Sequence, residues 1–161
     1  MFTLLIPKPC RIGEAAFQYC SSLESINIVG DIGADAFNSC TNLKTAHISD
    51  GYIWGRAFKD CINLTEITLP ENLGWIDEEV FSGCTSLKNI SLDGYLFEIR
   101  KKAFYNCSSL REIILPHTFY ALENEAFVGC SNLESITFLY DEQNAARMNG
   151  RLLILPQLKD V

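Results

Sequence analysis

The sequence predicts a solenoid, mostly β, in which short parallel strands stack turn upon turn along one axis. Three observations predict it. An eight-residue motif recurs six times at a near-constant period, two inward-facing apolar residues at alternate positions follow each copy, and extra residues enter the period at one place only. Such a period marks a repeat architecture, and it outranks any local reading of secondary structure.

The copies are AFQYCSSL (16–23), AFNSCTNL (36–43), AFKDCINL (57–64), VFSGCTSL (80–87), AFYNCSSL (103–110) and AFVGCSNL (126–133). Their cysteines, at 20, 40, 61, 84, 107 and 130, lie 20, 21, 23, 23 and 23 residues apart. Five residues before each phenylalanine stands an aliphatic: Ile12, Ile32, Ile53, Ile76, Ile99 or Leu122. Three after each cysteine stands a leucine, and beyond it the pairs Ile26/Ile28, Ala46/Ile48, Ile67/Leu69, Ile90/Leu92, Ile113/Leu115 and Ile136/Phe138 alternate with polar residues. Alternation at period two describes a short strand with one face inward. One unit cannot cover its own apolar face, so neighbours must stack and place Phe, Cys and Leu in continuous interior ladders. Counting half-repeats at the ends, about eight rungs roughly 4.8 Å apart give a sheet about 30 to 40 Å long.

From the last strand residue to the next opening aliphatic there are three residues in the first repeat (VGD), four in the second (SDGY) and six in the next three (PENLGW, DGYLFE, PHTFYA). Insertions therefore fall on one edge of the coil. Leu73, Leu96 and Phe119 share one offset on that edge and are expected to form a further interior ladder. The whole chain, residues 1–161, is taken as one domain: a partial repeat over 1–10 carried by TLLIP, six repeats over 11–138, and a variant closing turn over 139–161. In that tail Asp141 is placed to cap a short helix through Ala145, Ala146 and Met148, and RLLILP resembles one more strand. The partial repeat fits a minimal cap or a piece of a longer array.

Composition excludes several functions. With 48% apolar and 20% charged residues the chain is globular rather than disordered. A formal charge of −7, with 13 scattered basic residues, argues against nucleic acid. The opening MFTLLIPKPC has no basic residue ahead of its short apolar run and does not match a secretory signal. No stretch approaches the roughly 20 apolar residues of a membrane-spanning helix, so membrane insertion is not expected, and a monomer is.

The frame Ile-x-x-x-Ala-Phe-x-x-Cys-x-x-Leu-x-x-Ile-x-Leu-Pro over residues 3–138 resembles the BspA-like leucine-rich repeats, named for a bacterial surface protein. The resemblance implies an α/β leucine-rich repeat solenoid, right-handed, with a concave parallel sheet and short helical turns on the return path. It also implies a role in adhesion or protein recognition at a cell surface or in secreted form, with no catalytic residues to carry over. The shortened first two repeats, and Ala46 in place of a larger strand residue, depart from the pattern.

The six in-phase cysteines, Cys20, Cys40, Cys61, Cys84, Cys107 and Cys130, invite a metal or thiol reading, yet zinc wants four converging ligands and no CxxC occurs. They are assigned to the interior as a structural ladder of small hydrophobes. Neighbouring rungs lie close enough for disulfides, but parallel side chains point the same way rather than at each other. Cys10, between Pro9 and Arg11, is the thiol expected to react. Neither metal nor cofactor is predicted, and no nucleophile, base and orienting group recur together, so no enzyme is expected.

The outward strand positions are small, polar and mixed in charge; His47, Glu66 and Glu112 are the candidate contacts there. The variable edge gathers Tyr52, Trp54, Trp75, Tyr95, Phe97, Phe119 and Tyr120. Of these, Trp54, Trp75, Phe97 and Tyr120 are the candidates for exposure, holding a protein or stacking on a glycan; sealing of a loosely packed edge is the competing role. The expected function is a recognition or adhesion module for a protein or glycan, the alternative a structural spacer in a longer repeat array. Sequons at Asn63, Asn89 and Asn106 arise easily from the repeat. Denatured, unreduced protein should show the six in-phase thiols free to a thiol reagent; a count in which most are blocked would restore the disulfide alternative.

Overall fold

The computed structural model describes residues 2–92 and 94–139. Its strands, all paired in parallel, are β1 (Phe2–Ile6), β2 (Leu23–Ile28), β3 (Thr45–Ile48), β4 (Glu66–Thr68), β5 (Gly74–Ile76), β6 (Leu96–Ile99), β7 (Glu112–Leu115), β8 (Ala121–Leu122) and β9 (Ser135–Phe138). They form a mostly-β parallel-sheet solenoid of stacked turns. One sheet runs β1-β2-β3-β4, a second pairs β7 with β9, and a third runs β5-β6-β8 on another side of the coil. In the first sheet Ile26, Ala46 and Ile67 lie side by side, with Ile28 beside Ile48, so each inward residue meets its own copy. β1, carried by TLLIP, pairs with β2.

The interior is a column of stacked rings. Phe17, Phe37, Phe58, Phe81, Phe104 and Phe127 follow one another with centroids 5.3, 5.5, 5.9, 5.4 and 5.3 Å apart. Burying each ring stabilises by about 1.5–3 kcal/mol, and stacking adds about 0.5–1.5 kcal/mol. Beside the column stand Cys40, Cys61, Cys84, Cys107 and Cys130, all fully buried. Each thiol donates to the phenylalanine carbonyl of the preceding turn at 3.1–3.2 Å. Cys20 departs from the expected burial. Among the described residues no motif turn stacks on its outer side, and it is only half-buried.

The return path differs from the expected helical turns: no helix occurs among the described residues. Left-handed backbone conformations interrupt it every four residues. Ala15, Asp35, Arg56, Glu79, Lys102 and Glu125 have φ of 53–61°, and Tyr19, Ser39, Asp60, Gly83, Asn106 and Gly129 are left-handed as well. Alternate amides therefore point in different directions. In the second repeat, Ala36, Asn38 and Cys40 donate within their own turn to Gly33, Asp35 and Phe37, while Asp35, Phe37 and Ser39 donate to Gly55, Ala57 and Lys59 of the next turn. A helix would direct every amide along its own axis and leave the stack unbonded. Non-glycine residues in this region cost about 1–2 kcal/mol each, offset by a hydrogen bond to the neighbouring turn.

Two further differences concern the strands. Ile90 and Leu92 are buried as the alternation requires, yet they form no strand, and the first face of the coil is interrupted between β4 and β7. The third sheet has no counterpart in the expected single strand per repeat. In the short early repeats that side is joined only by single bridges, Ile12 to Ile32 and Ile32 to Ile53. The six-residue connections supply enough backbone to extend the bridges into β5, β6 and β8. The variant closing turn, with its expected helix and RLLILP strand, lies outside the described residues.

Burial holds the Cys40 thiol up at about 11 and the Cys130 thiol at about 12, and it raises Cys61, Cys84 and Cys107 too. An unfolded thiol ionises near 8.5. Below that value both states hold the proton and the stability is fully present. Above it the unfolded chain releases protons that the folded chain retains, so stability falls as pH rises toward the folded values. The slope is at most about 1.4 kcal/mol per pH unit for each thiol. Urea midpoints under reducing conditions should drop between about pH 8 and pH 10, less steeply in Cys107→Ala; a slope unchanged by that substitution would contradict the assignment.

Candidate binding surface

Three surfaces leave the core, and they differ in chemistry. On the outward face of the first sheet, Ser25, Thr45 and Glu66 lie in register, as do Asn27, His47 and Thr68. His47, Glu66 and Glu112 are exposed. Lys44 pairs with Glu24 at 3.0 Å, and among the described residues the outward positions of β2, β3 and β4 carry no aromatic side chain. In the second sheet β7 exposes an apolar residue, Ile114. Such a face resembles solvated sheet, because interface hot spots favour Trp, Tyr and Arg.

The return path presents ion pairs that repeat with the turns. Arg56 binds Asp35 at 2.7 Å, Lys59 pairs with Glu79, and Lys102 pairs with Glu125 at 3.2 Å. Burial works against the Asp35 carboxylate, but hydrogen bonds from Arg56 and Asn38 overcome it and hold its pKa below the usual value. Each pair joins side chains one turn apart, so these charges are engaged in the stack. The sequons are partly engaged as well. The Asn63 amide donates to the Thr41 carbonyl at 2.8 Å, and the Asn106 side chain fills the space above Gly129, where a Cβ would come within 2.1 Å of its Oδ1.

The variable edge carries the aromatics, and the structure sorts them. Leu73, Leu96 and Phe119 are buried. Trp54, Phe97, Tyr120 and Tyr95 are exposed by 39, 40, 48 and 58%. Trp75 is not free in the same way. The Tyr52 ring stacks on it at 5.3 Å, and the Arg100 guanidinium lies 5.2 Å from its ring centre. Asp77 at 3.0 Å and Glu98 at 3.2 Å hold that guanidinium in place. Phe97 protrudes for a local reason: Gly74 pairs with Leu96 and Trp75 with Glu98, so Phe97 is an extra residue in the register. Its ring lies against Gly74 and stacks on Tyr120 at 6.2 Å.

Sequence patterning places Tyr95 on this edge but singles out Trp54, Trp75, Phe97 and Tyr120 for exposure, and it overlooks two features. Tyr95 is more exposed than any of them, and a cleft of about 400 Å³ opens beside Tyr52, lined also by His47, Asp50, Thr68, Glu71 and Asn72. The step from a four-residue to a six-residue connection is the signal that marks it. Among the described residues no group of three or more His, Cys, Asp or Glu is arranged to hold a metal ion, and no helix is long and apolar enough to cross a membrane.

The ladders and the repeated frame match the family model described as BspA type leucine-rich repeat region, in six copies over residues 3–55 and 51–145. The chain belongs to the BspA-type leucine-rich repeat family. This family suggests a protein-interaction or surface repeat module. Among solved structures, a leucine-rich repeat protein from Bacteroides ovatus is 33% identical with a TM-score of 0.78, over 83% of this chain and 36% of that one. A leucine-rich cell surface protein from Faecalibacterium prausnitzii is 25% identical with a TM-score of 0.63, over 88% of this chain and 48% of that one. The T. pallidum leucine-rich repeat protein, 22% identical with a TM-score of 0.63 over 92% of this chain and 83% of its own, shares the fold. The chain thus spans about a third of the first protein and half of the second. No curated protein matches it.

The aromatic edge separates packing from exposure in a measurable way. Trp75→Ser removes a ring clamped on two sides and should cost about 1–3 kcal/mol in urea denaturation, whereas Phe97→Ser should cost less than about 1 kcal/mol. Equal losses would place Phe97 in the packing of the edge rather than on a free surface.

Proposed function

We propose that this chain is a non-enzymatic recognition module that binds a protein partner through its aromatic edge, displayed at a cell surface. The observation that supports it most is the exposure of Trp54, Phe97, Tyr120 and Tyr95 along one edge, while the adjoining sheet face is polar. Rigid aromatic rings supply large contact area at low entropic cost, and they are common anchors of interfaces. Trp75 is engaged by the Tyr52 ring and the Arg100 guanidinium and is left out of the interface, and His47, Glu66 and Glu112 act as polar surroundings. The family and the cell surface protein of F. prausnitzii favour the location.

A second reading, a spacer segment in a longer surface array, is favoured by the 36% of the B. ovatus protein that the chain covers. The two readings predict different outcomes in one measurement. Immobilised chain should bind at least one member of a panel of purified extracellular matrix proteins, and the triple variant Trp54→Ser/Phe97→Ser/Tyr120→Ser should bind at least about tenfold more weakly with its fold intact. Binding by neither parent nor variant supports the spacer; equal binding by both removes the aromatic edge from the interface.

A further inference from the structure

We propose that the cleft beside Tyr52 is a second binding site, for a neutral oligosaccharide, which adjoins the aromatic edge at Tyr95 and does not use Trp54, Phe97 or Tyr120. Its origin lies in the repeat lengths. The four-residue connection Ser49–Tyr52 packs beside the six-residue connection Pro70–Trp75, and the two do not match. On one side Gly30 donates to Asp50 and Ile32 to Tyr52; on the other, Tyr95 donates to Glu71 at 2.6 Å and Gly74 to Tyr95. Among the described residues no backbone hydrogen bond joins 49–54 to 70–77. The ladder of single bridges ends at Ile53, and the third sheet begins at β5. A seam therefore runs between the short and long turns, and the cleft of about 400 Å³ opens on it. That volume falls within the about 300–1,000 Å³ typical of small-molecule sites.

The lining selects the ligand. Tyr52 offers an aromatic ring backed by Trp75, the kind of apolar platform on which the C–H face of a pyranose packs. Around it stand Asp50 and Glu71 as acceptors, with Thr68, Asn72 and His47 able both to donate and to accept. Asn72 makes no hydrogen bond to another described residue. A sugar bears hydroxyls that donate and accept at adjacent carbons, and so satisfies both kinds of group. A lysine or arginine side chain only donates, which leaves the Asn72 and Thr68 donors unanswered. Two carboxylates and no lysine or arginine line the cleft, so an anionic sugar would meet repulsion.

The site continues past Glu71. A second hollow, of about 310 Å³, is lined by Glu71 with Gly94, Tyr95, His117 and Thr118. Each hollow thus has one tyrosine, one histidine and one threonine, and Glu71 borders both. Two like subsites about one shared carboxylate suit a chain of at least two sugar units rather than a single one.

The test is a titration of isotope-labelled protein with neutral disaccharides and trisaccharides of glucose, galactose, mannose and N-acetylglucosamine, followed by amide NMR shifts. At least one should give saturable shifts at residues 47–52 and 68–72, with Kd on the order of 1 mM. Glu71→Ala and Asn72→Ala should weaken it at least about tenfold, whereas the aromatic-edge variant Phe97→Ser should leave it unchanged. A folded protein that shows no saturable shift with any of these sugars overturns the proposal. So does a cleft that responds instead to lysine amide, arginine amide or glucuronate. Loss of sugar binding in Phe97→Ser would mean that the sugar sits on the aromatic edge and would also overturn it.

Discussion

The carbonyl oxygens of Phe17, Phe37, Phe58, Phe81 and Phe104 each receive two donors, and the stacking of the turns depends on that arrangement. In the turn around Phe81, the oxygen accepts the Cys84 amide of its own turn at 3.0 Å and the Cys107 thiol of the next at 3.1 Å. The first bond closes the local turn; the second ties it to its neighbour. A carbonyl buried beside stacked rings has two lone pairs and no water to satisfy them. The residue three beyond phenylalanine must therefore be small enough to fit between turns and must carry a donor of its own. Cysteine meets both requirements and stays apolar enough for the core. Alanine fits the space but lacks the donor, and leucine would force the rings apart. Cys40, Cys61, Cys84, Cys107 and Cys130, which look like chemistry in isolation, are explained by this demand.

The same demand acts on the return path. Because Phe37 donates its amide to Ala57 while Cys40 donates within its own turn, the backbone must reverse its amide direction from residue to residue. Left-handed positions at Asp35 and Ser39 make the reversal. At the second of these positions Gly83 follows Asp60 and Gly129 follows Asn106, and in each case a Cβ on the glycine would come within 2.2 Å of the preceding side chain's oxygen. An Asp or Asn in one turn is thus accommodated by glycine in the next. Stacking governs the choice of residue even where the side chain points to solvent.

The interior was legible in the sequence because its pattern follows from burial alone: Phe, Cys and Leu fall on their copies at every period, and Leu73, Leu96 and Phe119 share an offset that the structure buries. What the sequence did not show depends on hydrogen-bond direction, which leaves little trace in hydropathy. Alternation of left-handed residues among Ala15, Asp35, Arg56, Glu79, Lys102 and Glu125 has no common side-chain chemistry. The family resemblance implies a helical return path, and among the described residues none forms. Ile90 and Leu92 carry the same apolar alternation as the paired strands, and their burial follows from it even though pairing does not. The exposure of Trp75 was misjudged for another reason: its cover comes from Tyr52 in one turn and Arg100 in another, a contact set by three-dimensional spacing rather than by the repeat.

Repetition and variation consequently have separate places in the molecule. The column and its thiols require the same residues in each turn, so no turn can differ there without losing its neighbour. The connection before each opening aliphatic lies outside that requirement. It changes length between Tyr52 and Trp75, and two consequences follow from the one change: the longer turns gain enough backbone to pair as β5, β6 and β8, and the seam they leave against the shorter turns opens the cleft. The bulge that carries Phe97 outward belongs to the same long connections, since its register shift lies between Gly74 and Trp75. The exposed Tyr95, Phe97 and Tyr120 and the polar cleft thus belong to the same lengthened connections in an otherwise uniform stack. The outward strand positions change only their side chains from turn to turn, whereas the connection changes its backbone as well, so it is the part of the surface that departs furthest from the repeat.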